Sequence, residues 1–223
     1  MGTVKRGSER REDALSRERI VEAAIELLDD EGESGLTFRV LATRLATGAG
    51  ALYWHVASKS ELLIAAADTV VAQAMDEAPV AASPRDAIRG IAGKVFEAID
   101  AHPWVGTQLA RAPWEAPMLR IFERVGRQVQ ALGVRGGAQF TSASALLSYI
   151  VGASIQNATN GRLFEPSVDR VDFLGAMSAR WKELDAHEYP FLRKIAAHLP
   201  RHDDLAEFLA GLELILTGIE ASL

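Results

Sequence analysis

Between Thr37 and Lys59 the chain carries Arg39, Arg44, Tyr53 and His55 and not one carboxylate. Guanidinium, ammonium, phenol and imidazole groups all donate hydrogen bonds, and a face without acids suits phosphate oxygens. The spacing of the residues around them says what must hold them in place. Val40, Leu41 and Leu45, then Leu52 and Val56, lay down an apolar stripe at helical steps, interrupted by Thr47-Gly48-Ala49-Gly50. Thr37 stands where it caps the first helix, and Ser58 with Glu61 three residues on makes a capping box that starts another. Between them lies a helix of about two turns bearing Tyr53, Trp54 and His55. So short a helix is not stable alone and serves to present a surface. This plan is that of a helix-turn-helix, whose second helix enters the major groove of duplex DNA while the first crosses the backbone.

The residues at the start of that short helix are small. None of Gly48, Ala49, Gly50 and Ala51 can make the bidentate contacts that distinguish bases. Ala49 or Ala51 can touch a thymine methyl, which leaves Arg39 as the main candidate for direct readout, with DNA shape supplying the rest. On a helix of this length Trp54 points away from Tyr53 and is expected in the core. Gly48-Ala49-Gly50 is no phosphate loop, since a further glycine and a preceding strand are missing.

The segment 36–63, LTFRVLATRLATGAGALYWHVASKSELL, resembles the DNA-binding domain of the TetR family of transcriptional repressors, most specifically in LYWHV and Lys59. The run 208–223, FLAGLELILTGIEASL, resembles the family's last helix. The resemblance implies DNA contacts, mainly with phosphates, for Thr37, Arg39, Ala51, Tyr53, His55 and Lys59, with Ala49 and Gly50 beside them. It also implies a helical core that binds a small-molecule effector, lined by Phe96, Trp104, Gln108, Leu109, Trp114, Met118, Gln156 and Asn157. Finally it implies a homodimer joined through helices 138–160 and 203–221, with Leu146, Ile150, Leu209, Leu212 and Leu216 at the interface. Two departures stand out. The glycine usual in the turn is Ala46, and the magnesium-binding histidines of tetracycline-binding members fall at Met75 and Leu109. Neither side chain coordinates a hard cation, so magnesium-bound tetracycline is not the expected effector.

Around this unit the pattern is helical throughout. Ile20, Ala23, Ala24, Leu27 and Leu28 give a first helix one apolar face, and 31–35 end it. The helix begun at Ser58 reaches about Glu77, where Pro79 and Pro84 mark a break, and Ser83-Pro84-Arg85-Asp86 starts the next. Further helices are expected near 85–101, 103–111, 114–132, 138–160, 170–184, 188–198 and 203–221. The last carries a wide apolar stripe, and Gly211 and Gly218 on a neighbouring stripe let another helix approach closely. The expected fold is all-α: a flexible arm over 1–15, a three-helix DNA-binding domain over 16–60, and a larger ligand-binding and dimerisation core over 61–223, with a long loop near 161–172.

Composition narrows the function further. The 223 residues include no cysteine, which excludes disulfides, thiolate zinc sites and cysteine nucleophiles. The net charge of −6 speaks mildly against a nucleic-acid binder, but Glu22, Glu26, Asp29, Asp30, Glu31 and Glu33 all precede the reading unit, where Arg39, Arg44 and Lys59 make a locally basic face. No apolar stretch follows Lys5, Arg6, Arg10 and Arg11, and the apolar run 145–155 is short for a bilayer, so a cytoplasmic protein is expected. No acid, base and nucleophile converge at a suggestive spacing, no cofactor is implied, and His198 and His202 are separated by the helix-breaking Pro200. The reading is a ligand-responsive repressor that binds a palindromic operator as a homodimer. The alternatives are an activator or a helical small-molecule carrier.

Overall fold

The computed structural model describes residues 15–78, 81–162 and 169–223; the arm up to residue 14, Pro79 and the middle of the expected long loop lie outside the described residues. Among the described residues every regular element is helical: α1 (Arg17–Gly35), α2 (Phe38–Arg44), α3 (Ala49–Leu52), α4 (Lys59–Asp76), α5 (Pro84–Ala101), α6 (Pro103–Arg111), α7 (Ala116–Ala131), α8 (Gly137–Arg162), α9 (Arg170–Glu183), α10 (Pro190–Ile195), a 3₁₀ segment (Ala196–Arg201) and α11 (Asp204–Glu220). The helices follow the sequence pattern closely. Ser16, Thr37, Ser58, Ser83 and Asp203 each cap a helix through the side-chain oxygen, satisfying a backbone amide that has no partner within the helix. The expected helix over 188–198 divides instead. It is α-helical to Ile195 and then 3₁₀ through Pro200, whose missing amide cannot continue the α-helical ladder.

Two compact units form. The first holds the described residues up to Glu77 together with Trp104–Glu123; the second holds those from Ala78 to Pro103 and from Arg124 to Leu223. The division differs from a boundary at residue 60, because α4 buries Leu62, Leu63, Ala66 and Val70 and packs against α1. The segment from Trp104 is tied to the same unit by side chains. The Trp104 indole donates to Asp29 Oδ1 at 2.7 Å, and Arg120 grips Asp68 with two bonds of 3.0 Å.

In the second unit α5, α8 and α11 pack on one another, while α9, α10 and the 3₁₀ segment cluster together and are joined to α11 by the Arg170–Asp204 ion pair of 2.7 Å. Arg85 at the start of α5 donates to Glu213, Thr217 and Glu220 of α11, clamping the two helices along their length. Gly211 makes the α8–α11 contact possible. A Cβ there would overlap the Tyr149 hydroxyl, which donates to the Phe208 carbonyl at 2.8 Å while its ring stacks on Phe208. The close approach expected at Gly211 is therefore made within the chain, whereas Gly218 faces open space.

The expected interface residues need correcting for the same reason. Leu146, Ile150, Leu212 and Leu216 are fully buried among α5, α8 and α11, and only Leu209 keeps partial exposure. An apolar stripe that fills one chain's own core cannot also be its outer face. The exposed side of α8 carries Ala145, Ser148 and Gly152, and that of α11 carries Ala206, Ala210, Leu214 and Gly218. The helix α8 also extends beyond the apolar run that seemed short for a bilayer. Its 26 residues are long and apolar enough to cross one, although it packs here as a bundle helix.

Candidate nucleic-acid interface

The reading unit is built from α1 to α4. In α1, Ile20, Ala23, Ala24, Leu27 and Leu28 are buried as the periodicity requires, and the helix breaks at Gly32, whose φ of 68° and ψ of −174° lead the chain into Leu36 and Thr37. Thr37 Oγ1 accepts the Val40 amide at 3.2 Å, starting α2. At the far end of α2 the Thr47 amide donates to the Ala42 carbonyl and the Ala46 amide to Thr43. This closure needs a left-handed residue, and Ala46 takes it with φ of 50°. Alanine thus occupies the conformation glycine favours, at a cost of about 1 kcal/mol. The glycine that the turn lacks is missing in identity but not in geometry.

The short third element differs from expectation. α3 is four residues, 49–52, and Gly48 at its N-cap has no side chain to cap it. Tyr53, Trp54 and His55 lie in the turn that follows, so the helical facing that sent Trp54 inward does not apply to it. Trp54 is 90% exposed; Leu52 and Val56 fill the core instead. Tyr53 stacks flat on Phe38 with centroids 4.5 Å apart and still keeps 56% of its surface exposed. One ring face thus fixes its position while the rest faces solvent. His55 is half-buried in the same turn.

Charge is distributed more narrowly than the sequence suggested. Arg44 pairs with Glu26 at 3.0 Å and Asp30 at 3.4 Å, clamping α2 to α1. Lys59 Nζ donates to the Glu33 carbonyl at 2.6 Å. Of the three cations expected on the basic face, Arg39 alone is exposed with no ion pair among the described residues. The capping box forms in a shifted version. Ser58 Oγ accepts the Glu61 amide at 3.1 Å, but Glu61 returns to the amide of Ala57, not to that of Ser58. That amide, with the Arg17 guanidinium beside it, holds the Glu61 carboxyl below the usual carboxylate range. Glu33 and Arg111, which join at 2.6 Å, were not singled out from sequence. Nothing in their spacing signals the contact, because 78 residues separate them.

The expected effector-lining residues divide between the units. In the first, Trp104, Leu109 and Met118 are buried, and Gln108 is buried to 7% exposure with no side-chain hydrogen bond among the described residues. Trp114 is 83% exposed in the turn before α7, contrary to its expected place in a cavity wall. In the second unit Phe96 packs on Phe208 with centroids 4.7 Å apart, Asn157 donates to Asp100 at 3.2 Å, and Gln156 is exposed. Met75 and Leu109 are both buried apolar side chains. His202 pairs with Asp204 at 3.0 Å, and no cluster of metal-binding side chains occurs among the described residues.

Comparison with known proteins decides the family. The model described as "Bacterial regulatory proteins, tetR family" matches residues 20–66, and that described as "Tetracyclin repressor-like, C-terminal domain" matches residues 81–223. The chain belongs to the TetR family. This TetR-family chain is 32% identical to an HTH-type transcriptional regulator of Saccharopolyspora erythraea, over 93% of its own length and 86% of the relative's. It is 29% identical to the tetracycline repressor protein class D of Escherichia coli, over 94% and 91% of the two chains. The solved structure of the TetR regulator SCO7222 from Streptomyces coelicolor superposes with a TM-score of 0.84 at 53% identity, covering 93% of this chain and 99% of that one. The family match extends through the middle of the chain, because the second model runs without a break from residue 81 to residue 223. The protein is a TetR-family transcriptional regulator with a helix-turn-helix DNA-binding unit.

Proposed function

We propose that this regulator is a cytoplasmic, homodimeric repressor that binds a two-fold symmetric operator and is released by a small-molecule effector. The observation that carries the reading is the donor set around α3: Thr37, Arg39, Tyr53 and His55, held by a capped helix and a ring stack in a segment, 37 to 59, that itself contains no carboxylate. Ala49, Gly50 and Ala51 allow close approach to the groove floor but offer only methyl contacts, so Arg39 reads bases and DNA shape does the rest. Dimerisation uses the open stripes on α8 and α11, where small residues and Leu214 leave room for a symmetry mate. A two-fold pair sets two reading heads on half-sites at a fixed spacing.

The polar Gln108, only 7% exposed on the helix that also buries Trp104 and Leu109, supports an effector with a polar atom in an otherwise apolar setting. Magnesium-bound tetracycline does not fit this chain, since Met75 and Leu109 offer it no ligand. An effector acts by preferring the conformation that cannot span both half-sites. The test is footprinting of the purified full-length protein on DNA upstream of its own gene and its neighbours. A two-fold symmetric footprint at modest salt is expected, and its absence from all these regions would sink the repressor reading. An increase of transcription from the bound promoter would favour the activator instead.

A further inference from the structure

The cation that the family places on a DNA phosphate is engaged elsewhere. Lys59 opens α4, yet its ammonium donates to the backbone carbonyl of Glu33 at 2.6 Å. Glu33 follows the break at Gly32, and its own carboxylate accepts Arg111 Nη1 at 2.6 Å. Arg111 is the last residue of α6, the helix that carries Trp104, Gln108 and Leu109 and that is bonded through Trp104 to Asp29 of α1. One short segment, Asp29 to Glu33, is thus held at both ends by α6 and at its carbonyl by Lys59.

We propose that Arg111 and Glu33 are positioning residues for DNA binding, which hold the Lys59 ammonium on the Glu33 carbonyl and so withhold one phosphate contact per chain. The reason is geometric. With φ of 68° at Gly32, the segment after it has left the α1 helical path, and a side-chain tether is what fixes where the Glu33 carbonyl points. Release of Arg111, by a shift of α6 or by mutation, lets that carbonyl turn and frees Lys59 to reach a phosphate. This inference rests on the DNA-binding reading above and adds a link between α6 and the strength of the backbone grip.

The phosphate contribution is independent of sequence, so an end-labelled 30-base-pair duplex of random sequence is a sufficient probe, followed by anisotropy over a series of salt concentrations. The proteins are the full chain and its Arg111→Gln, Arg111→Lys, Lys59→Ala and Arg111→Gln/Lys59→Ala variants. Arg111→Gln is expected to bind about two- to fivefold tighter at low salt, the range of a surface ion pair, with a salt slope steeper by about one phosphate per chain. Arg111→Lys should stay near the parent, and Arg111→Gln should change nothing once Lys59 is alanine. An unchanged slope in Arg111→Gln, weaker binding by it, or the same steepening without Lys59 would overturn the proposal. Arg111 is a surface residue, and circular-dichroism melts verify that each variant folds. Failure of the parent chain to bind any duplex would overturn the DNA-binding reading and this inference with it.

Discussion

Single side chains carry two opposite kinds of exposure in this protein. Arg39 projects from α2 with no ion pair among the described residues, which is the state a base-reading guanidinium needs before DNA arrives. Arg39→Ala is therefore expected to bring specific and random duplexes closer in affinity, by about 1–3 kcal/mol of lost discrimination. Equal losses on both duplexes in competition binding would assign Arg39 to phosphate. Gln108 shows the reverse situation, a polar side chain only 7% exposed, although no side-chain polar atom among the described residues is sealed off without a hydrogen-bond partner. Its amide carries no trapped desolvation penalty, so Gln108→Leu should change the unfolding free energy by less than about 1 kcal/mol while weakening the response to effector. An unchanged response to effector would remove Gln108 from the effector site.

Elements here are defined by their ends. Among the described residues six helices start on a side-chain cap, and each of those caps is a serine, threonine or aspartate visible in the sequence. The turn between α2 and α3 is the exception, since Ala46 adopts a left-handed backbone that penalises any Cβ. Ala46→Gly should relieve about 1 kcal/mol of that strain and raise Tm by roughly 2–4 °C in differential scanning calorimetry. A lower Tm would show that the extra conformational entropy glycine gives the unfolded chain outweighs the relief of strain. The helical period does not extend past Leu52, where α3 stops. Periodicity gives a direction only to residues that are helical, and Trp54 is not.

At the scale of the whole molecule the two apolar stripes of α11 have different duties. Leu212 lies in the core between α5, α8 and α11, while Leu214 is 77% exposed on the opposite side. Leu214→Arg is expected to leave the thermal transition of the chain's own core nearly intact but to yield monomers in sedimentation velocity. Leu212→Arg should instead prevent folding, because it buries an unpaired charge. A dimer that survives Leu214→Arg would move the interface away from this face. Loss of the dimer should also remove binding to a two-fold site while leaving weak, salt-sensitive binding to any duplex, since each half-site contributes its own phosphate contacts.

The sequence by itself determined the all-helical fold, the caps, nearly all helix boundaries and the place of the reading unit, because these rest on local spacing within a few residues. It also carried the family, through LYWHV and the final helix. What only the tertiary structure decided is which side of each helix faces the chain's own core and where each cation ends up. Leu146, Ile150, Leu212 and Leu216 look from spacing like any apolar seam, and only the arrival of α5 against α8 and α11 turns them inward. Lys59 and Arg44 read as free cations until Glu33, Glu26 and Asp30 are folded against them. Such pairings depend on contacts between residues far apart in the chain, and no local period encodes them.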